Sequence, residues 1–202
     1  MAVSGPRPFP SGRGRATGEP VSNREPDREP GPDADPVAVA RQICLHQLEH
    51  SPRTRAELAA VLSRRGVADD VAEQVLSRFE DAGLIDDKLF SELWVNSRHR
   101  SRGLAGRAIS QELRRKGVDD EVVREAVAAI DPEEELATAR ALVDRKLPST
   151  RGLAADARVR RLSGMLARKG YGPSVAYRVV KEALAAEGVD LVLDTDGLSA
   201  LD

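Results

Sequence analysis

The chain has 202 residues, 32% of them charged and 3% aromatic, a balance that argues against one large buried core and for several thin ones. Its single cysteine, Cys44, excludes an intrachain disulfide framework, and no long apolar run or apolar secretory segment occurs, which predicts a cytoplasmic chain with no membrane association. The formal charge of −2 is unevenly spread: residues 1–36 carry five Arg against six acidic residues, residues 188–202 carry four Asp and no base, and a slight positive excess lies between them.

Residues 1–36 combine Pro6, Pro8, Pro10, Pro20, Pro26, Pro30, Pro32 and Pro36 with many Gly and Arg, so too little apolar surface is available to offset the entropy of ordering, and disorder is expected. From residue 37 onward apolar residues recur at i, i+3, i+4 and i+7 with no alternation of period two, which predicts an all-α fold. A first repeat, 37–85, reads as three helices marked by Ala40, Ile43, Cys44 and Leu48, then Leu58, Val61 and Leu62, then Val71, Val75, Leu76 and Phe79. Thr54 with Glu57 three residues on is a capping-box signature for the second of these. Gly83-Leu84-Ile85-Asp86-Asp87 leads into a second repeat, 86–130, without a Pro/Ser linker. There Leu89, Phe90, Leu93 and Trp94, then Ala105, Ile109 and Leu113, then Val122, Val123, Ala126, Val127 and Ile130 mark the helices, with Asp119 as a cap. Trp94 reads as core packing. The third repeat, 131–187, opens on Asp131-Pro132, a cap followed by a proline tolerated in the first helical turn, and Pro148 interrupts it before a loop around Ser149 to Gly152. Residues 188–202 read as an acidic tail.

One phrase organises these elements. Leu62-Ser63-Arg64-Arg65-Gly66-Val67 is echoed by Leu113-Arg114-Arg115-Lys116-Gly117-Val118 and by Leu166-Ala167-Arg168-Lys169-Gly170-Tyr171, at a spacing of about fifty residues. The expectation is an elongated tandem array of three three-helix, helix-turn-helix-like repeats, a shape suited to an extended partner. Part of the phrase has a local explanation, since cations in a last helical turn interact with the dipole and Gly adopts the left-handed conformation after it.

The basic residues are denser than capping requires. Arg98, Arg100, Arg102, Arg107, Arg114, Arg115 and Lys116 form one group, and Arg151, Arg158, Arg160, Arg161, Arg168 and Lys169 a second, and both are candidate anion-binding or filament-binding surfaces. A duplex-reading arrangement would send each third helix into the major groove. However, Asp69, Asp70 and Glu73 open the first of these helices and Asp119, Asp120 and Glu121 the second, where phosphates would be repelled; only the last, with Tyr177, Arg178 and Lys181, has a suitable face. Backbone-level contact from the basic first and second helices is therefore favoured over base reading. His46 and His50 stand four apart near Cys44, but two histidines supply too few ligands for a tetrahedral ion, so no metal or other cofactor is expected. No phosphate loop, dinucleotide fingerprint or nucleophile elbow occurs, so catalytic function is not expected either.

Gly83-Leu84-Ile85-Asp86-Asp87, then Phe90, Trp94, Arg98 and Arg100, then Arg107-Ala108-Ile109-Ser110-Gln111-Glu112-Leu113-Arg114-Arg115-Lys116-Gly117-Val118, resembles the central signature of RecX regulatory proteins, and the resemblance extends more loosely over residues 37–187. It implies a monomeric, non-enzymatic modulator of RecA. Such a protein lodges in the groove of the RecA filament on single-stranded DNA and suppresses ATP hydrolysis and strand exchange; in this chain the acidic starts of two third helices and the acidic tail limit direct DNA contact to a weak one, so that protein contacts are expected to dominate. The competing readings are a helix-turn-helix transcription factor binding duplex DNA and a helical scaffold for an unrelated acidic protein.

Overall fold

Every regular element among residues 35–189, those described in the computed structural model, is helical. The order is α1 (Pro36–His50), α2 (Arg55–Arg64), α3 (Asp69–Asp81), α4 (Asp87–Arg102), α5 (Gly106–Arg115), α6 (Asp120–Ala128), α7 (Pro132–Lys146), a single 3₁₀ turn at Leu147–Thr150, α8 (Ala155–Arg168) and α9 (Pro173–Ala186). The expected proline-rich head and acidic tail lie outside the described residues, apart from Asp35 and Pro36 at the start and Gly188 and Val189 at the end.

Local chemistry accounts for the helix starts. At α2 the Thr54 hydroxyl accepts from the Glu57 amide at 3.1 Å while the Glu57 carboxylate accepts from the Thr54 amide at 3.2 Å, the reciprocal pairing that the sequence signature predicts. Asp35, Asp119 and Asp131 each accept from the amide two residues on, at α1, α6 and α7. Proline enters the first turn of α1, α7 and α9, where a missing amide leaves no bond unmade.

The ends of α2, α5 and α8 share one geometry, and it explains the repeated phrase. Gly66, Gly117 and Gly170 adopt φ of 75°, 76° and 92°. In each case the residue after the glycine donates its amide back to the leucine that opens the phrase: Val67 to Leu62 at 3.1 Å, Val118 to Leu113 at 3.3 Å and Tyr171 to Leu166 at 3.2 Å. This is the bonding of a Schellman end, in which the apolar residue after the glycine covers the leucine one turn back.

The described residues form two compact units, one of residues 35–97 and 112–126, the other of residues 98–111 and 127–189. In the first, α1, α2 and α3 pack mutually around Cys44, Leu58, Leu62, Val75, Leu76 and Phe79. In the second, α7, α8 and α9 pack around Ala139, Val143, Leu162, Leu166, Val180 and Leu184.

Each unit also contains the same junction between one repeat and the next. In the first, the Thr54 hydroxyl donates to the Lys116 carbonyl at 2.6 Å, the Arg55 amide donates to the Asp87 carboxylate at 3.0 Å, and a Cβ on Gly117 would overlap that of Ala56. In the second, the Ala105 amide donates to the Lys169 carbonyl at 2.9 Å, the Gly106 amide donates to the Glu135 carboxylate at 2.7 Å, and a Cβ on Gly170 would stand 2.6 Å from the Ala108 Cβ and amide nitrogen. The carbonyl end of a second helix thus closes on the amide end of the preceding second helix, while an acidic side chain from the following first helix caps that amide end.

Two expectations for α4 change. Leu89 is 48% exposed, because the buried edge of the helix runs through Phe90, Ser91, Val95 and His99. Ser91 and His99 are invisible to an apolar pattern: the serine hydroxyl satisfies itself on the Asp87 carbonyl at 2.7 Å, and both ring nitrogens of His99 are engaged, with the Leu104 carbonyl at 2.9 Å and the Thr138 hydroxyl at 3.2 Å. Trp94 is half-buried rather than core; it stacks on Phe90 with ring centroids 5.5 Å apart and donates its indole N–H to Glu112 at 2.9 Å.

The junction makes a graded prediction. Gly66→Ala meets no atom within 4 Å and carries only left-handed strain, about 1–2 kcal/mol, whereas Gly117→Ala and Gly170→Ala add overlap with Ala56 and Ala108, about 1–3 kcal/mol more. Urea denaturation of the three variants should rank Gly66→Ala as the mildest.

Candidate anion-binding surface

In the second unit the turn between α4 and α5 is held against the end of α8. Besides the Ala105–Lys169 bond, the Lys169 ammonium donates to the Arg102 carbonyl at 2.5 Å and the buried Tyr171 hydroxyl donates to the Gly103 carbonyl at 3.2 Å. This docking brings Arg102 and Arg107, from one side of the α4–α5 turn and the other, toward Arg168 and Lys169. Burial depresses the Lys169 ammonium below its ordinary range, and the neighbouring positive charges of Arg145 and Arg102 depress it further. Like charges are therefore close enough here to oppose one another.

Beside this cluster lies a cleft of roughly 380 Å³ lined by Arg107, Gln111, Ser163, Arg168, Tyr171 and Pro173 among others. Arg160 shares the helical face of Ser163 and Ala167, which also line it. Arg100, Arg102, Arg107, Arg160, Arg161 and Arg168 are exposed, and Arg98 and Lys169 are half-buried. Guanidinium groups do not lose their protons near neutrality, so the arrangement offers fixed positive charge and forked donors for phosphate or carboxylate.

The remaining expected residues are occupied in other ways. Arg158 is a correction: it is only 5% exposed, donating through Nε to the Thr150 hydroxyl at 3.1 Å and through its guanidinium terminus to Glu187. It shares a helix face with Leu162, and its charge is compensated by a carboxylate at the end of α9. Arg151 bonds the other oxygen of the same carboxylate at 2.9 Å. Arg158 first, and Arg151 after it, hold the Glu187 carboxyl below the usual glutamate range.

In the first unit Arg114 bonds Asp120 at 2.6 Å. Lys116 bonds Glu57 at 2.7 Å and lies 4.5 Å from the Trp94 ring centroid, which makes it part of the junction. Arg115 is exposed. Arg145 was not anticipated, although it stands with Lys146 in the last turn of α7, the same placement as Arg114 and Arg115 in α5. Gln111 and Ser163 carry no sequence signal of their own. Cys44 is no nucleophile, since burial pushes its thiol up to about 11. Among the described residues no helix is long and apolar enough to cross a membrane.

Models of the three RecX three-helix domains match in order, the first at residues 40–79, the second at 86–127 and the third at 133–180. The Regulatory protein RecX of Thermobifida fusca is 53% identical over 168 residues, spanning 82% of this chain and 91% of the relative. The chain belongs to the RecX family. Regulatory protein RecX of Streptomyces coelicolor is 55% identical over 159 residues, 79% of this chain and 85% of its own length. Among solved structures, RecX from Lactobacillus salivarius superimposes with a TM-score of 0.68 at 19% identity, covering 73% of this chain and 96% of the other, a likeness of fold. This RecX-family chain therefore has the tandem three-helix architecture expected from its repeated phrase.

The distinction between compensated and outward cations predicts a split in stability. Arg158→Ala should lose about 1.5–3 kcal/mol in urea denaturation, the range for a buried hydrogen bond to a charged group, whereas Arg160→Ala and Arg161→Ala should stay within about 0.5 kcal/mol of the parent. Because the Glu187 carboxyl titrates lower folded than unfolded, its contribution is fully present above the ordinary glutamate range and is lost as pH falls through the depressed value. Acid titration of Glu187→Gln should accordingly show a shallower loss of stability below that range than the parent.

Proposed function

We propose that this chain regulates RecA by binding the groove of the RecA filament on single-stranded DNA through the basic surface of its second unit, suppressing ATP hydrolysis and strand exchange without catalysis of its own. The observation that carries this reading is the crowding of Lys169 with Arg102 and Arg145 beside the Arg107–Arg168 cleft. Cations held together at a cost to one another are relieved by an anionic partner. Within the sequence-predicted set, Arg98, Arg100, Arg102, Arg107, Arg160, Arg161, Arg168 and Lys169 are proposed as the contact residues, joined by Arg145. Arg115 is proposed as an accessory contact. Arg114, Lys116, Arg151 and Arg158, already matched to carboxylates, are assigned to holding the fold.

The partner offers two kinds of anion, protomer carboxylates and the enclosed phosphates. Protein contacts are proposed to dominate, because Asp69, Asp70, Asp120 and Glu121 place negative charge at the starts of α3 and α6. By bridging a protomer junction the chain would favour one filament geometry and oppose the movements that hydrolysis and exchange require. The proposed acting form is a cytoplasmic monomer built of repeats 37–85, 86–130 and 131–187. A duplex-binding reading draws on one specific feature: Tyr177, 39% exposed, with Arg178 and Lys181 also exposed on α9.

Reversing charge at Arg107, Arg160, Arg161 and Arg168 together should weaken co-sedimentation with RecA-coated single-stranded DNA at least about tenfold, equivalent to 1.4 kcal/mol, and relieve inhibition of RecA ATPase, with helical circular dichroism unchanged. Undiminished binding would move the surface elsewhere. An unchanged ATPase rate at saturating occupancy by the parent chain would reject the inhibitory mechanism, and preference for a particular duplex sequence over the filament would favour the α9 reading.

A further inference from the structure

The last turn of α1 reads His46-Gln47-Leu48-Glu49-His50, and at 3.6 residues per turn positions 46, 49 and 50 fall on one face. That face is exposed, while Cys44 turns into the core and Leu48 is half-buried. The His46 Nδ1 and a Glu49 carboxylate oxygen are 3.8 Å apart, the two imidazole rings stand 4.7 Å apart at 69°, and one potential ligand atom from each of the three residues lies within 4.8 Å of the others. The expectation of no metal site considered Cys44 as the third partner; the helix supplies Glu49 instead.

The His50 ring is already oriented. Its Nδ1 lies 2.8 Å from the His46 carbonyl, which can only accept, so Nδ1 is the donor and Nε2 is the nitrogen left to face an ion. Anchoring one ring nitrogen in this way is how the second nitrogen of a ligating histidine is usually presented to an ion. Around a tetrahedral ion with bonds of about 2.0–2.2 Å, donor atoms stand about 3.4 Å apart, so exposed side chains with ligand atoms already within 4.8 Å must draw together to close on one. A cation here also lies at the carbonyl end of α1, where the helix dipole favours it.

We propose that His46, Glu49 and His50 form a three-ligand site for a borderline divalent transition ion of the zinc class, with its fourth position open to water. Two imidazoles and one carboxylate suit zinc, nickel, cobalt or copper rather than magnesium or calcium, which take oxygen ligands. No other donor set in the described residues competes. The chain has three histidines, and His99 spends both ring nitrogens inside the second unit. Cys44 is buried in the core of the first unit and does not reach this face. The bound ion would tie residues i, i+3 and i+4, fixing the final turn of α1 ahead of the extended Ser51 and the Thr54 cap of α2.

The test is calorimetric titration of ZnCl₂ into the untagged full chain, alongside Glu49→Gln and the double variant His46→Gln/His50→Gln, with MgCl₂ as control. All three side chains are exposed, so the variants should fold as the parent does, which circular dichroism checks. Saturable binding of one zinc ion per chain is expected, weakened several-fold by Glu49→Gln and at least about tenfold by the double variant, with no heat from magnesium. A chain that shows no saturable zinc binding, or a double variant that binds as the parent does, overturns the proposal.

Discussion

The structure depends on the closing of one helix end upon another. At the ends of α5 and α8 the chain must turn within a residue, deliver a carbonyl to the preceding repeat and let backbone approach backbone. Glycine with positive φ meets all three demands: it ends the helix, exposes the Lys116 or Lys169 carbonyl, and leaves room for Ala56 or Ala108. The receiving side is matched to it. Thr54 provides both a cap for α2 and a donor for Lys116, and Glu57, having capped α2, binds the Lys116 ammonium as well. Because each group serves two purposes, neither repeat needs a large core of its own to hold its neighbour.

The same junction governs where positive charge ends up. Each repeated phrase places cations in the last turn of a second helix, next to the point of contact. In the first unit Lys116 is drawn onto Glu57 and over Trp94, so the charge is absorbed by the joint. In the second, the equivalent Lys169 finds the Arg102 carbonyl, a neutral acceptor, and has Arg102 and Arg145 for neighbours. A sequence device used twice thus sets its last cation against a carboxylate once and against a backbone carbonyl once. Glu187 takes up Arg151 and Arg158 at the far end of the same unit.

What could be read from the sequence is what is local. Thr54 with Glu57, Asp119 and Asp131 announce helix starts because their partners lie within three residues, and the repeated leucine-to-glycine spacing announces helix ends for the same reason. Glycine's second role was not legible, since Ala56 and Ala108 lie some sixty residues before Gly117 and Gly170. Arg158 reads as surface charge until Glu187, 29 residues on, is seen to compensate it. Leu89 reads as core because apolar pattern gives no weight to Ser91 and His99, whose polar atoms are satisfied by Asp87 and Leu104 nearby and, for the second ring nitrogen, by Thr138 in the next repeat. Glu49, between two histidines, carries no signal in the sequence for a different reason: carboxylates are so common on helix surfaces that proximity alone singles one out.

The third helices carry this contrast between shared fold and unshared charge further. α3 and α6 open with Asp69, Asp70, Asp120 and Glu121, which stabilise their own amide ends and present negative charge there. α9 has no acidic residue in its first turn; it begins at Gly172 and Pro173, next to Arg107 and Arg168, with neither a side-chain cap nor a local carboxylate to offset its dipole. Packing requires none of this difference, because Val75 with Phe79 and Val179 with Leu184 bury comparable faces whatever the first turn carries. A repeat whose core is preserved while its acids are missing has had its potential changed without its shape, so the start of α9 does not oppose the cations at the end of α8 as an acidic first turn would.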